Sequence, residues 1–235
     1  MDLTTAKVLV TGGSSGIGYA TAKRLAAAGA RVAICGRSAS ALRAAAKELA
    51  AVPVEADVSR EADVDRLVQT VVRELGGYDT LINNAGFGRF APLIEMTTAD
   101  FRSVWETNVL GAMLVARDSA RHFVRQRRGN IVNVASTSGQ RGGVGGSAYA
   151  SSKFALSGLT DVWRSELRQY DVRVMQINPS EVLTDFRANS GRPAAGENAS
   201  KLHADDIAEV IANILSLDDR ALVKDVTVWA TNPKD

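Results

Sequence analysis

With one cysteine in 235 residues, the chain cannot form an internal disulfide. Cys35 closes the apolar run Val32-Ala33-Ile34-Cys35, where a buried strand residue is expected. Aromatic residues are scarce at 6%, so the core has to be assembled from Ala, Val, Leu and Ile. Neither sign of charge dominates: 28 Lys and Arg stand against 26 Asp and Glu, a formal net charge of +2. Such a balance argues against a nucleic-acid or membrane surface. The densest basic cluster, Arg121, Arg125, Arg127 and Arg128, falls at the end of a predicted helix, where it complements the helix dipole. No apolar run approaches the ~20 residues of a membrane span. Met1-Asp2-Leu3 leads almost at once into Lys7-Val8-Leu9-Val10, without room for a signal peptide. A soluble, cytoplasmic protein is expected, with no metal site.

Short β-branched runs are present near 7–11, 31–35, 52–56, 79–82, 130–134, 172–177 and 225–229. Longer segments of helical spacing separate them, the alternation of βαβ units around a parallel sheet. Leu67, Val68, Val71, Val72 and Leu75 form one such apolar stripe. Segments 161–170 and 207–217 also read as helices, and the longest helical stretch, about 98–126, contains one Gly and no Pro. No repeat or linker divides residues 1–235, so a single domain is expected. The irregular stretch 185–203, rich in Ser, Gly, Asn, Pro and Ala, has the length and position of a substrate loop.

The first strand runs into Gly12-Gly13-Ser14-Ser15-Gly16-Ile17-Gly18, and a helix is predicted from about Tyr19 to Ala28. A strand, a tight glycine turn and a helix N-terminus make an anion site, because N–H groups point outward and no Cβ blocks a pyrophosphate. The spacing G-x-x-x-G-x-G meets the general dinucleotide fingerprint only in part. At the end of the second strand an acid would hold the ribose 2′-hydroxyl of NAD, whereas Arg suits a 2′-phosphate. The chain has Gly36-Arg37-Ser38 there, so NADP(H) is expected over NAD(H).

Tyr149 and Lys153 are four residues apart and share one face of a predicted helix. A free phenol has a pKa near 10, and a neighbouring ammonium lowers it. The set as a whole resembles a short-chain dehydrogenase/reductase of the single-domain type. Its motifs occur in order: Thr11 through Gly18, Asp57-Val58, Asn83-Asn84-Ala85-Gly86, Asn108, Ser136, Tyr149 with Lys153, and Pro179 through Thr184. The resemblance is to carbonyl reductases of the 3-oxoacyl-carrier-protein reductase kind. It implies a Rossmann-type, doubly wound parallel sheet of seven strands with helices on both faces.

The resemblance also implies roles. Tyr149 would be the general acid/base, Lys153 would lower the phenol pKa and bond the nicotinamide ribose, and Ser136 would bond the substrate oxygen. Asn108 would hold a water linking Lys153 to solvent. Cofactor contacts would come from Gly12, Ser14, Ser15, Gly16, Ile17 and Gly18, from Arg37 and Ser38, and from Asp57 and Val58 at the adenine. Asn84, Ala85 and Gly86 would line the adenosine ribose, and Pro179, Val182 and Thr184 would bracket the nicotinamide. The implied activity is hydride transfer between NADP(H) and a ketone or secondary alcohol, in a homodimer or homotetramer built through the long helices. One departure stands out: the family's usual Pro-Gly is Pro179-Ser180 here, followed by Glu181. Candidate substrate walls are Phe87, Phe90, residues 139–147, Ser180 and Glu181. Two other readings remain open: an NAD-linked alcohol or sugar dehydrogenase, and a non-catalytic NADP(H)-binding regulator.

Overall fold

A computed structural model describes residues 1–192 and 198–232. Its central sheet is built from β1 (Lys7–Thr11), β2 (Arg31–Gly36), β3 (Val52–Glu55), β4 (Thr80–Asn83), β5 (Gly129–Val134), β6 (Val172–Pro179) and β9 (Asp225–Val228). The order is β3-β2-β1-β4-β5-β6-β9, with every pairing parallel. This is the doubly wound, seven-stranded Rossmann-type sheet that the sequence predicts. Strand order reverses between β1 and β4, so loops diverge there and leave a crevice at the carboxyl ends of the strands.

The strands are apolar on both sides because both sides are covered. In β1, Val8 and Val10 enter one core and Leu9 the other. The first core packs Ile34, Ile82, Val132 and Ile177 against α1 (Gly16–Ala27), α2 (Ala39–Leu49) and α8 (Ala204–Ser216). The second packs Leu81, Ile131 and Val174 against α3 (Glu61–Leu75) and α5 (Ala112–Gln126), where the expected stripe puts Leu67, Val71 and Leu75 inside. Cys35 is buried in this second core, and burial pushes its thiol up to about 12, so it stays protonated and inert.

Three segments depart from the sequence reading. The first helix starts at Gly16 rather than Tyr19, so the last two glycines of the loop form its first turn. The predicted 98–126 helix is helical throughout but splits into α4 (Thr98–Trp105), a π-turn at Glu106–Gly111, and α5. Gly111 packs on the loop after β3: a Cβ there would lie 2.8 Å from Val58 Cγ2. Stretch 185–203 contains α7 (Phe186–Asn189) and a two-residue β8 (Leu202–His203) paired with β7 (Val182–Leu183). Residues 193–197 of that stretch lie outside the described ones. No helix among the described residues is long and apolar enough to cross a membrane. In the basic cluster at the end of α5, Arg121 pairs with Asp118 and Arg127 bonds the Gln169 carbonyl.

Candidate active site

The glycine loop is held by tight packing. Gly12 has φ +65°, and Gly13 donates to the Cys35 carbonyl at 3.1 Å. A Cβ on Gly18 would come within 2.3 Å of the Gly12 carbonyl oxygen and 2.5 Å of Asn84 Nδ2. Thr11 is the hub: its Oγ1 accepts from the N–H groups of Asn84 and Ala85 at 2.9 and 3.0 Å. Asn84 Nδ2 returns bonds to the Thr11 and Gly12 carbonyls at 2.9 and 3.3 Å. The first strand, the glycine loop and the Asn84-Ala85-Gly86 turn are therefore bonded together. Helix α1 begins at this loop with no side-chain cap from Ser15 and no acid in its first turn. Its outward N–H groups are thus left for an anion.

Around this loop lie the other expected cofactor contacts. Exposed Arg37 sits at the end of β2, its guanidinium carbon 6.0 Å from the Phe87 ring centre, and Ser38 follows as the N-cap position of α2. Asp57 accepts from the Ser59 N–H and hydroxyl at 3.0 and 2.7 Å, so its carboxylate braces its own turn, beside buried Val58. Pro179 ends β6, Val182 lies in β7, and Thr184 lies 3.4 Å from where a Cβ on Gly16 would be. Ser14 Oγ stands 3.3 Å from the corresponding point on Gly36, and Ile17 packs on the first core.

Helix α6 (Ser147–Leu167) carries Tyr149 and Lys153 on one face, with Lys153 Nζ 5.8 Å from the Tyr149 ring centre. Lys153 is only 6% exposed and donates from Nζ to the Val134 carbonyl at 2.8 Å. Burial pulls its pKa down to about 8. Burial pushes the Tyr149 phenol up, while a hydrogen bond with Ser136 and the positive charge of Arg192 oppose that rise. Ser136 lies on the turn after β5, where its Oγ also accepts from the Ser138 N–H at 3.0 Å. Phe90 and Phe186 flank the Tyr149 ring at centroid distances of 5.5 and 5.2 Å.

Asn108 sits in the π-turn, buried. Its Oδ1 accepts from the Phe87 N–H at 3.0 Å, and its Nδ2 donates to the Phe87 carbonyl at 2.9 Å and to Ser152 Oγ at 3.0 Å. Its side chain thus fastens the segment after Gly86 to the helix that carries Tyr149.

The structure brings Asn108, Ser136, Tyr149 and Lys153 to one end of the sheet, with the glycine loop at the same end. A profile of the family described as short chain dehydrogenase matches residues 6–195. The chain belongs to the short-chain dehydrogenase family. It is an oxidoreductase of that family by descent. Among relatives of this short-chain dehydrogenase, the NADP-dependent 3-hydroxy acid dehydrogenase of Schizosaccharomyces pombe is 32% identical, covering 96% of this chain and 92% of that protein. The uncharacterized oxidoreductase YxnA of Bacillus subtilis is 37% identical over 191 residues, but the chain spans only 54% of its length. An alcohol dehydrogenase from the archaeon Thermococcus sibiricus, complexed with 5-hydroxy-NADP, superposes with a TM-score of 0.89 at 28% identity, over 98% of this chain and all of that one.

Sequence reasoning missed Thr11 as the hub, Ser152 as the partner of Asn108, and Arg192. A Thr ending a strand is what β-propensity alone predicts, so its second role leaves no trace in the pattern. Glu181, one of the candidate substrate walls, is bonded to Arg187 and Lys201 at 2.7 and 2.8 Å.

Proposed function

We propose that this short-chain dehydrogenase is an NADP(H)-dependent oxidoreductase interconverting a ketone and a secondary alcohol, with Tyr149 as general acid/base. The observation that carries the reading is the grouping of buried Ser136, partly buried Tyr149 and buried Lys153 at the carboxyl end of β5, at the same end of the sheet as the glycine loop. The residues fit a dinucleotide. The first turn of α1 is uncapped and free of acid, and Gly12 and Gly16 take positive φ, which lets backbone rather than side chain face the phosphates. The pyrophosphate would be held by Gly12, Ser14, Ser15, Gly16, Ile17 and Gly18. Arg37 and Ser38 would take the 2′-phosphate, Asp57 and Val58 the adenine, and Asn84, Ala85 and Gly86 the adenosine ribose. Pro179, Val182 and Thr184 would flank the nicotinamide. Arg37 stands where an NAD-specific chain would need an acid, which favours NADP(H). A relative named as NADP-dependent and a structural neighbour holding 5-hydroxy-NADP support the same preference.

The bound cofactor would supply or accept the hydride, and the protein would manage protons and position. In reduction, the Tyr149 phenol gives its proton to the carbonyl oxygen; in oxidation, the phenolate takes the alcohol proton. Ser136 donates to the same oxygen and stabilises charge that builds there. Below pH 8 Lys153 is mainly ammonium, and we assign its charge, 5.8 Å from the Tyr149 ring centre, to favouring phenolate. Asn108, by locking Phe87 to Ser152, keeps the floor of the site fixed, and a water on its backbone would link Lys153 to solvent. Exposed Phe101, Leu110, Phe154 and Val162 lie on α4, the π-turn and α6, and we assign them to the contact of a homodimer or homotetramer.

The test is NADPH binding by fluorescence titration, followed by NADPH consumption with ketones, aldehydes and β-ketoacyl thioesters. Binding with turnover on at least one class supports the reading. Tight NADPH binding with no turnover on reduction or oxidation would favour the regulator instead.

A further inference from the structure

Arg192 occupies an unusual position. Its guanidinium carbon lies 4.0 Å from the centre of the Phe90 ring, and Phe90 in turn packs on Tyr149. Its Nε is buried without a hydrogen-bond partner among the described residues. An unpaired buried donor on a charged group is costly, and such groups persist where a ligand completes them.

The placement is built rather than incidental. Arg192 N–H donates to the Arg187 carbonyl at 3.0 Å, closing the turn after α7 through Gly191 at φ +74°. That turn is pinned to the 88–90 segment from two sides. Gly88 N–H donates to Ser190 Oγ at 3.3 Å, and Arg89 Nη1 donates to the Asn189 carbonyl at 2.9 Å. Glu181, a carboxylate whose charge also reaches Arg192, is bonded to Arg187 and Lys201. The fold therefore presents a fixed cation one aromatic layer from the proton donor.

We infer that Arg192 is the anchor for a substrate carboxylate, so that the preferred substrates are short oxo acids and hydroxy acids whose carboxylate lies a few bonds from the reacting carbon. The inference rests on the reduction chemistry proposed above. Guanidinium binds carboxylate through two parallel N–H bonds, which fixes the reacting carbon relative to Tyr149 as well as adding affinity. Phe90 supports the guanidinium from below by cation–π contact.

The test compares acetoacetate with ethyl acetoacetate in NADPH-dependent reduction by wild type, Arg192→Gln and Arg192→Lys. In parallel, malonate binding to each protein is measured by calorimetry in the presence of NADP+. Wild type is expected to favour the acid over the ester, and Arg192→Gln to reduce that ratio by about 10- to 100-fold. Arg192→Lys should fall between them, and malonate affinity should drop at least about tenfold in Arg192→Gln. Any effect of Arg192 on the Tyr149 phenol alters acid and ester alike, so the ratio isolates the anchor. Equal losses on acid and ester, with malonate binding unchanged, would overturn the anchor while leaving the reductase intact. A raised NADPH dissociation constant with an unchanged ratio would overturn it in favour of a cofactor phosphate. Arg192-dependent malonate binding without turnover of either compound would keep the anion site and reject the proposed reduction.

Discussion

Replacing Lys153 by Met separates the cost of this residue to the fold from its use in the site. Lys153 is almost wholly buried, and burial takes its pKa from 10.5 to about 8. Between those values the unfolded chain holds a proton that the folded chain has released, so stability rises with pH. Below pH 8 both states are protonated and the term is flat; above 10.5 both are neutral and it is flat again. Integrating this linkage from pH 7 to pH 10 gives about 2–3 kcal/mol. Wild type should therefore gain about 2–3 kcal/mol relative to Lys153→Met over that interval. Taking the difference cancels the titration of every group that Lys153 does not influence. Urea unfolding of both proteins at pH 7, 8, 9 and 10, followed by far-ultraviolet circular dichroism, reads the quantity directly. NADPH-dependent turnover by the variant should fall at least about 100-fold at every pH. A stability difference that does not change with pH would refute the buried, proton-shedding lysine.

Three other substitutions probe separate parts of the account. Arg37→Asp should reverse the NADPH over NADH preference by about 100-fold in kcat/KM; an unaltered ratio would remove Arg37 from the 2′-phosphate site. Gly18→Ala puts a methyl group against the Gly12 carbonyl and the Asn84 amide. It should cost about 3 kcal/mol in urea unfolding and abolish NADPH binding by fluorescence titration. Ser136→Ala removes a hydrogen bond that holds the Tyr149 phenol down. The ascending limb of alcohol oxidation, where activity grows as phenolate forms, should then move to higher pH; a limb that stays or moves down would break the Ser136 to Tyr149 link.

The strands were legible because β-branched runs such as Val8-Leu9-Val10 and Val172 to Ile177 are buried on both faces, and periodicity reports burial. The π-turn at Glu106–Gly111 was not, since Gly111 meets Val58 from a loop about fifty residues away and no local pattern encodes that contact. The four-residue α7 and the two-residue β7 and β8 are shorter than any period a sequence can display. In the site, Tyr149 and Lys153 announce themselves through their helical spacing, and Arg37 through its distance from the glycine loop. Thr11 and Ser152 act through hydrogen bonds to distant backbone and side chain, which spacing cannot show. Arg192 was hidden in an irregular stretch whose composition reads only as loop, and the packing of Phe90 on Tyr149 gives it meaning.

The central claim is that Tyr149 moves the proton, and NADPH oxidation by wild type beside Tyr149→Phe tests it most directly, with acetoacetate and ethyl acetoacetate among the substrates. The variant should unfold at the same urea concentration within about 0.5 kcal/mol, bind NADPH as wild type does, and lose at least about 1,000-fold in kcat. A variant that binds NADPH and turns over near the wild-type rate would contradict the account.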